Sequence, residues 1–460
     1  MPVNSFENYP MSWKPSLSGM KPPIYKALAK QLENDIKNGL LHPGDLLPPQ
    51  RELADFLDLN LSTISKAFKL CSQKGLISAS IGRGTYISSD VQVNSTLLDP
   101  QEAAGLIEMG AIHPAYEFNI YIQEMMRTLL KNKSSLNFLE YTYSSGSLYQ
   151  KNTGVKWLSY AGVKSSVNQI LLANGGQNAL CAVLSSLFHA GDKIGTDPLI
   201  FAGVKTLAKM LGIQLVPIPW TDGEMSCDSL EQYCKTEGLK GIYMIPDFQN
   251  PTTHTLSLER RQMISDIAQR YHLIIIEDAI NSLLAETPPT AMATLIPEQT
   301  IYISSLSKVI CPGIQIAFIH TPLAYKSQLE SGLYNINLMT SPLNAQVACM
   351  LIHSPACRQI LSKRRQMTIA RNHMVDTILG DYHPAGSPEC NFRFLSLPKG
   401  LEGKSFERCA QDAGVQVYCG ERFAIGSILV PPSIRLSITS PRTLEDLETG
   451  LTILRDLLKN

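Results

Sequence analysis

IYISSLSKVICPGIQIAF, residues 301–318, decides how the rest of the chain is read. Ile301 to Ile303 lead into the small hydroxyl side chains of Ser304, Ser305 and Ser307, then a single lysine, Lys308, and a Pro312-Gly313 break. A short apolar run closed by turn residues reads as a buried strand that ends at a sheet edge. A lysine just beyond such an end can be desolvated. A desolvated amine gives up its proton more readily and becomes a nucleophile toward carbonyl carbon. Taken alone, Ser-x-Ser-Lys is an ordinary surface turn, so its surroundings decide.

Outward from this stretch, similar strand ends recur. QILLANG, DKIGTD, LVPIPW, GIYMIPD, LIIIEDA and IQIAFIH are short β-rich runs, with helical stretches such as SLERRQMISDIAQRYH between several of them. That alternation predicts an α/β unit with a mostly parallel sheet covered on both faces. In such a sheet the ligand sits beyond the carboxyl ends of the strands. Chemistry-bearing residues gather there. NGGQNAL, residues 174–180, puts Gly176 and Gln177 in a strand-to-helix turn whose backbone N–H groups can cradle an anion. Asn250 follows GIYMIPDFQ, and Asp278 closes LIIIED. From about Asn344 onward, amphipathic helices followed by FRFLSLP and IRLSIT predict a smaller α+β subdomain.

The order and spacing of these residues resemble the fold-type I, pyridoxal 5′-phosphate (PLP)-dependent aminotransferases from about Gly105 to the end. The resemblance implies that Lys308 holds PLP through an imine and that Asp278 keeps the ring nitrogen protonated. It implies that Asn250 donates to the ring hydroxyl oxygen and that Phe201, in DPLIFAG, stacks where the family more often has Tyr. Gly176, Gln177, Ser305 and Ser307 would surround the phosphate. Arg435, in SIRLSI, matches the arginine that clamps the carboxylate of an amino-acid ligand, a task suited to a planar fork of donors. Two positions depart from the pattern. The family's Pro-Gly-x-Arg puts an arginine on the phosphate where this chain has Gln315, and its Glu-Asp-Asp-Tyr supplies a hydroxyl where this chain has Ile280. A charge-assisted hydrogen bond contributes roughly 1.5–3 kcal/mol and a neutral one about 1. Cofactor affinity is therefore expected to be weaker by about one to several factors of ten.

The amino-terminal part reads differently. In PPIYKALAKQLENDIKNG, Tyr25, Leu28, Leu32 and Ile36 recur at helical spacing, with Pro23 near the start and Gly39 near the end. QRELADFL forms a second helix after Pro48-Pro49, and STISKAFKLCSQKG a third. On that third helix Ile64, Ala67, Phe68 and Cys71 form the buried stripe, while Ser62, Ser65, Lys66 and Lys69 share the opposite face. Hydroxyls and lysines on one face suit base edges and phosphates in a major groove. LISASIGRGTYIS then predicts a hairpin wing with Arg83 at its tip. HPGDLLPPQRELADFL, STISKAF, KGLI and GRGTYI together resemble the winged helix-turn-helix of the GntR family. That resemblance implies DNA contacts from Arg51, Ser62, Thr63, Ser65, Lys66, Lys69 and Arg83. Where the family has Ser-Arg ahead of the threonine, Leu61-Ser62 precedes Thr63 here. One such contact is worth about 1–3 kcal/mol, so an altered operator preference is expected.

The two resemblances joined give the arrangement of the MocR-type regulators. The expected organisation is a flexible arm over 1–21, the DNA-binding domain over 22–88, a linker over 89–104 and the aminotransferase-like effector and dimerisation domain over 105–460. Forty basic and forty acidic residues cancel, so DNA binding must come from a local patch. Ten cysteines form no C-x-x-C pair, no metal site is expected, and no run is long and apolar enough for a membrane span. The expected protein is a cytoplasmic homodimer with operator DNA and a small-molecule effector, PLP or an amine, as partners. An active aminotransferase with a DNA-binding appendage and a cofactor-free dimeric repressor are the alternatives.

Overall fold

The computed structural model describes residues 11–17, 22–42, 44–80, 84–88, 105–131, 133–426, 428 and 430–459. The amino-terminal unit has its own core. Helices Ile24–Lys37, Gln50–Leu57 and Leu61–Gln73 bury Leu28, Leu32, Leu53, Leu57, Ile64 and Phe68 against one another. The second helix stops where Asp58 turns left-handed, at φ 53°. The third starts one residue earlier than its polar face suggests, because the Asn60 side chain caps it by accepting from the Ser62 N–H at 2.9 Å. Strands Ile77–Ser80 and Gly84–Ile87 pair antiparallel as the wing, and Leu46–Leu47 adds a third strand that the sequence pattern did not announce.

The flexible arm expected over residues 1–21 is corrected in part. Trp13 is buried in the core of this unit, and its indole N–H donates to Asp35 at 2.9 Å. A large aromatic with one polar atom gains more from that docking than from solvent. The expected Arg83 contact and the linker over 89–104 lie outside the described residues.

The carboxy-terminal unit is built on a seven-stranded sheet. Its strands lie in the order Ile170–Ala173, Ala317–His320, Thr300–Ser305, Ile274–Asp278, Gly241–Met244, Lys193–Thr196 and Gln214–Pro217. Only Ala317–His320 runs against its neighbours. The carboxyl ends of the others therefore open on one edge, where Asn174, Asp197, Asn250, Asp278 and Lys308 follow. Helices such as Gly176–Leu187 and Leu258–Tyr271 cover the faces, so the central strands carry consecutive apolar residues, as at residues 274–276 and 301–303, rather than alternating.

The smaller subdomain carries an antiparallel sheet in the order Phe392–Ser396, Ser433–Ser437, Tyr418–Cys419. Strand Ile107–Glu108 pairs parallel with Val415–Gln416 as a separate two-stranded sheet, so the described chain enters the carboxy-terminal unit through this subdomain. The long helix Pro355–Leu379 ties both parts together. Arg364 and Arg365 donate to the carbonyls of Ile310, Leu284 and Ala285 in the large part, and Arg371 to those of Ile438 and Pro441 in the small one.

Candidate functional site

At the open edge of the sheet, the turn into helix Gly176–Leu187 lies against Ser305 and Gln315 and is the candidate anion cradle. Gly175, at φ 84°, turns the chain from strand Ile170–Ala173 into helix Gly176–Leu187, a backbone conformation that favours glycine. A Cβ at Gly176 would lie 3.6 Å from Ser305 Cβ and 3.8 Å from Ile280 Cδ1, and one at Gly175 would lie 3.9 Å from Gln315. The helix start, Ser305, Gln315 and Ile280 thus meet in one place. The Ser307 N–H donates to Ser305 Oγ at 3.2 Å, and the Ser305 hydroxyl donates to Ser307 Oγ at 3.1 Å. Gln177 is exposed and donates to the Gly203 carbonyl at 3.0 Å. A Cβ at Gly203 would collide with both Phe201 and Gln177, so this glycine allows those two side chains to approach. Gln315 is exposed and holds a left-handed φ of 46°.

Beside the cradle, Lys308 and Asp278 shift each other's protons. Burial pulls the Lys308 amine down to about 8, with the Arg435 charge adding and the Asp278 carboxylate opposing. The amine donates to the Ile112 carbonyl at 2.6 Å. Burial pushes Asp278 up to about 6, against the Tyr243 hydroxyl that donates to Oδ2 at 2.9 Å, the Ile280 N–H and the charge of Lys308. Asp278 therefore remains ionised at neutral pH, and Tyr243 helps keep it so. Tyr243 was missed from sequence, although a phenol inside the fully buried run GIYM signals a hydroxyl in need of a partner.

Arg435 closes the site from the small subdomain. It is buried, donates to Asn250 Oδ1 at 2.6 Å and to the Gly110 carbonyl, and lies over the ring of Phe423 at 4.7 Å. Its Nε is buried without a hydrogen-bond partner. Asn250, whose Oδ1 accepts from the arginine, retains its amide N–H groups for another acceptor.

One segment accepts from both cations. Gly110 and Ile112 take Arg435 and Lys308, while the Glu108 carboxylate accepts from the N–H groups of Gly110 at 2.6 Å and Ala111 at 2.8 Å. Ser440 Oγ accepts from the His113 N–H at 2.9 Å. His113 is depressed to about 4 by burial and by Lys308.

The donor set suits PLP. A desolvated amine, an ionised carboxylate near it, a strand-to-helix turn whose left-handed φ at Gly175 favours glycine, and an arginine with an orphaned buried Nε are what such a group and an anionic amine ligand require. The cradle's weakness is charge: at position 315 it has an amide.

In the amino-terminal unit, Ser62, Ser65, Lys66 and Lys69 are exposed on one face of helix Leu61–Gln73, Thr63 is half-buried, and Arg51 is exposed on the preceding helix. The Ser65 hydroxyl donates to Gln50 Oε1 at 2.8 Å, which joins the two helices. Among the described residues, no group of His, Cys, Asp and Glu could hold a metal ion. None of the described helices is long and apolar enough to cross a membrane.

Comparison with known proteins agrees with this division. Residues 24–87 match the gntR family of bacterial regulatory proteins, and residues 107–453 match the class I and II aminotransferases. The chain is 47% identical to the uncharacterized HTH-type transcriptional regulator YdeF of Bacillus subtilis (strain 168), covering 100% of this chain and 99% of that one. Among solved structures, an archaeal alanine:glyoxylate aminotransferase superposes with a TM-score of 0.71 at 24% identity, over 77% of this chain and 91% of that one. The α-aminoadipate aminotransferase LysN of Thermus thermophilus superposes with a TM-score of 0.71 at 22% identity, over 80% and 95%. At such identities the likeness establishes the fold.

Proposed function

Because the chain belongs to the MocR-type regulators, with a gntR-family domain ahead of a class I and II aminotransferase domain, we propose that it regulates transcription by binding operator DNA under the control of PLP or an amine that reacts with it. Lys308 would hold the cofactor covalently, Asp278 would face its ring nitrogen, and Asn250 its ring hydroxyl. Gly176, Gln177, Ser305, Ser307 and Gln315 would hold the phosphate, with Phe201 against the ring. When bound, the group supplies a carbonyl carbon that exchanges between amines and a ring that withdraws electrons.

The observation that carries this reading is the convergence of a desolvated Lys308 and Asp278 at one sheet edge with a buried Arg435 reaching in from the small subdomain. Arg435 would turn from Asn250 and Gly110 to the carboxylate of an amino-acid effector. A sensor role is favoured over catalysis. Ile280 offers no hydroxyl to set the proton affinity of the bound group, and Gln315 brings no charge to hold the phosphate, so binding is weak and reversible. On the DNA side, Arg51, Ser62, Thr63, Ser65, Lys66, Lys69 and Arg83 would contact the operator. Exposed apolar side chains at Leu136, Leu139, Tyr141, Tyr143 and Leu148 support a homodimer that reads paired half-sites.

Absorbance during titration with PLP, followed by borohydride reduction and peptide mass, tests the site. The wild type is expected to gain a visible band and a reduced adduct at Lys308, and Lys308→Ala neither. Rapid multiple turnover of an amino acid with an oxo acid would overturn the sensor reading in favour of an enzyme.

A further inference from the structure

The first residue of the third helix, Leu61, is 39% exposed and takes no part in the core of its unit. An apolar side chain gains little there unless something covers it. In a helix-turn-helix, the amino-terminal residues of this helix are the ones that meet base edges in the major groove. The first turn carries no cation. Leu61 and Ser62 are exposed, the Ser62 N–H is engaged by the Asn60 cap, and the Ser65 hydroxyl is committed to Gln50 Oε1 at 2.8 Å. Lys66 and Lys69 come one and two turns later.

Guanine is read through O6 and N7 by a fork of cationic donors, which this turn lacks. Thymine instead presents a C5-methyl group, and an apolar side chain is its natural contact. We infer that Leu61 packs on the methyl group of a thymine in each operator half-site, so that this position selects an A·T pair. The inference rests on the operator-binding reading above and specifies what part of the operator that reading would find.

Selection from randomised duplexes with the full-length protein would supply a bound sequence. Each thymine in it is then replaced in turn by deoxyuridine, which removes only the methyl. At one position per half-site this replacement should weaken wild-type binding by about fourfold, the effect of one buried methyl. The same replacement should cost nothing in Leu61→Ala, and Leu61→Arg should shift the selected base there toward guanine. Equal deoxyuridine penalties in wild type and Leu61→Ala would overturn the assignment, as would a selected sequence with no thymine-sensitive position. Failure to select any duplex would overturn the operator-binding reading and this assignment together. Leu61 is exposed, so neither variant removes a core contact, and helix content by circular dichroism checks the fold of each.

Discussion

Lys308 draws its chemistry from where its strand ends. With the amine near 8 rather than the ordinary 10.5, the neutral, nucleophilic form is about half populated at pH 8 and falls as pH drops. The rate of PLP capture should therefore rise through about pH 8 and level above it, which stopped-flow absorbance measures. Affinity should fall again as pH drops through about 6, where Asp278 takes up a proton and loses its charge toward the ring nitrogen. Tyr243→Phe removes a hydrogen bond that favours the carboxylate, so this lower limb should move to higher pH while the upper limb stays. Gln315→Arg should tighten PLP by roughly 1–2 kcal/mol, about five- to thirtyfold, because a charged donor replaces a neutral one at the cradle; equilibrium titration checks it. At this scale the sequence was informative where a residue's chemistry is rare at its location. Lys308, Asp278 and Arg435 stood out for that reason. Tyr243 did not, because an aromatic in a buried strand looks like core until its hydroxyl is followed to Asp278.

Among the elements, the segment from Met109 to His113 matters most. It follows directly on the strand by which the chain enters the small subdomain, and its carbonyls hold both cations that ligands would use. A ligand can alter DNA affinity only through different contacts in two arrangements, and withdrawing Lys308 and Arg435 from this segment supplies such a difference. In Lys308→Ala without any cofactor, amide exchange at Gly110 to His113 should quicken by about tenfold, the loss of one charge-assisted bond. Unchanged exchange would show that the segment is held without Lys308, by Arg435, Glu108, Thr439 and Ser440. In the amino-terminal unit, Trp13→Ala should cost about 3 kcal/mol by emptying a core site and freeing Asp35, read as faster exchange in helix Ile24–Lys37. Helices and strands were legible because their apolar periodicity is local. The docking of residues 11–17 and the strand Leu46–Leu47 were not, since both depend on partners more than 20 residues away.

For the whole molecule, the sheet order could be anticipated only in kind. Alternating strands and helices imply a mostly parallel sheet, but nothing local in IQIAFIH marks it as the one strand that reverses direction. The convergence of Asn250 with Arg435, 185 positions apart, likewise appears only once the subdomains pack. Coupling between the two functional units is the claim on which the rest stands. It is tested most directly by fluorescence anisotropy of operator DNA, at fixed salt, with wild-type protein and Lys308→Ala, each with and without PLP. A change in DNA affinity on adding PLP to the wild type, absent in Lys308→Ala, is predicted. An identical response in both proteins, or none in the wild type under conditions where its absorbance shows PLP bound, would contradict it.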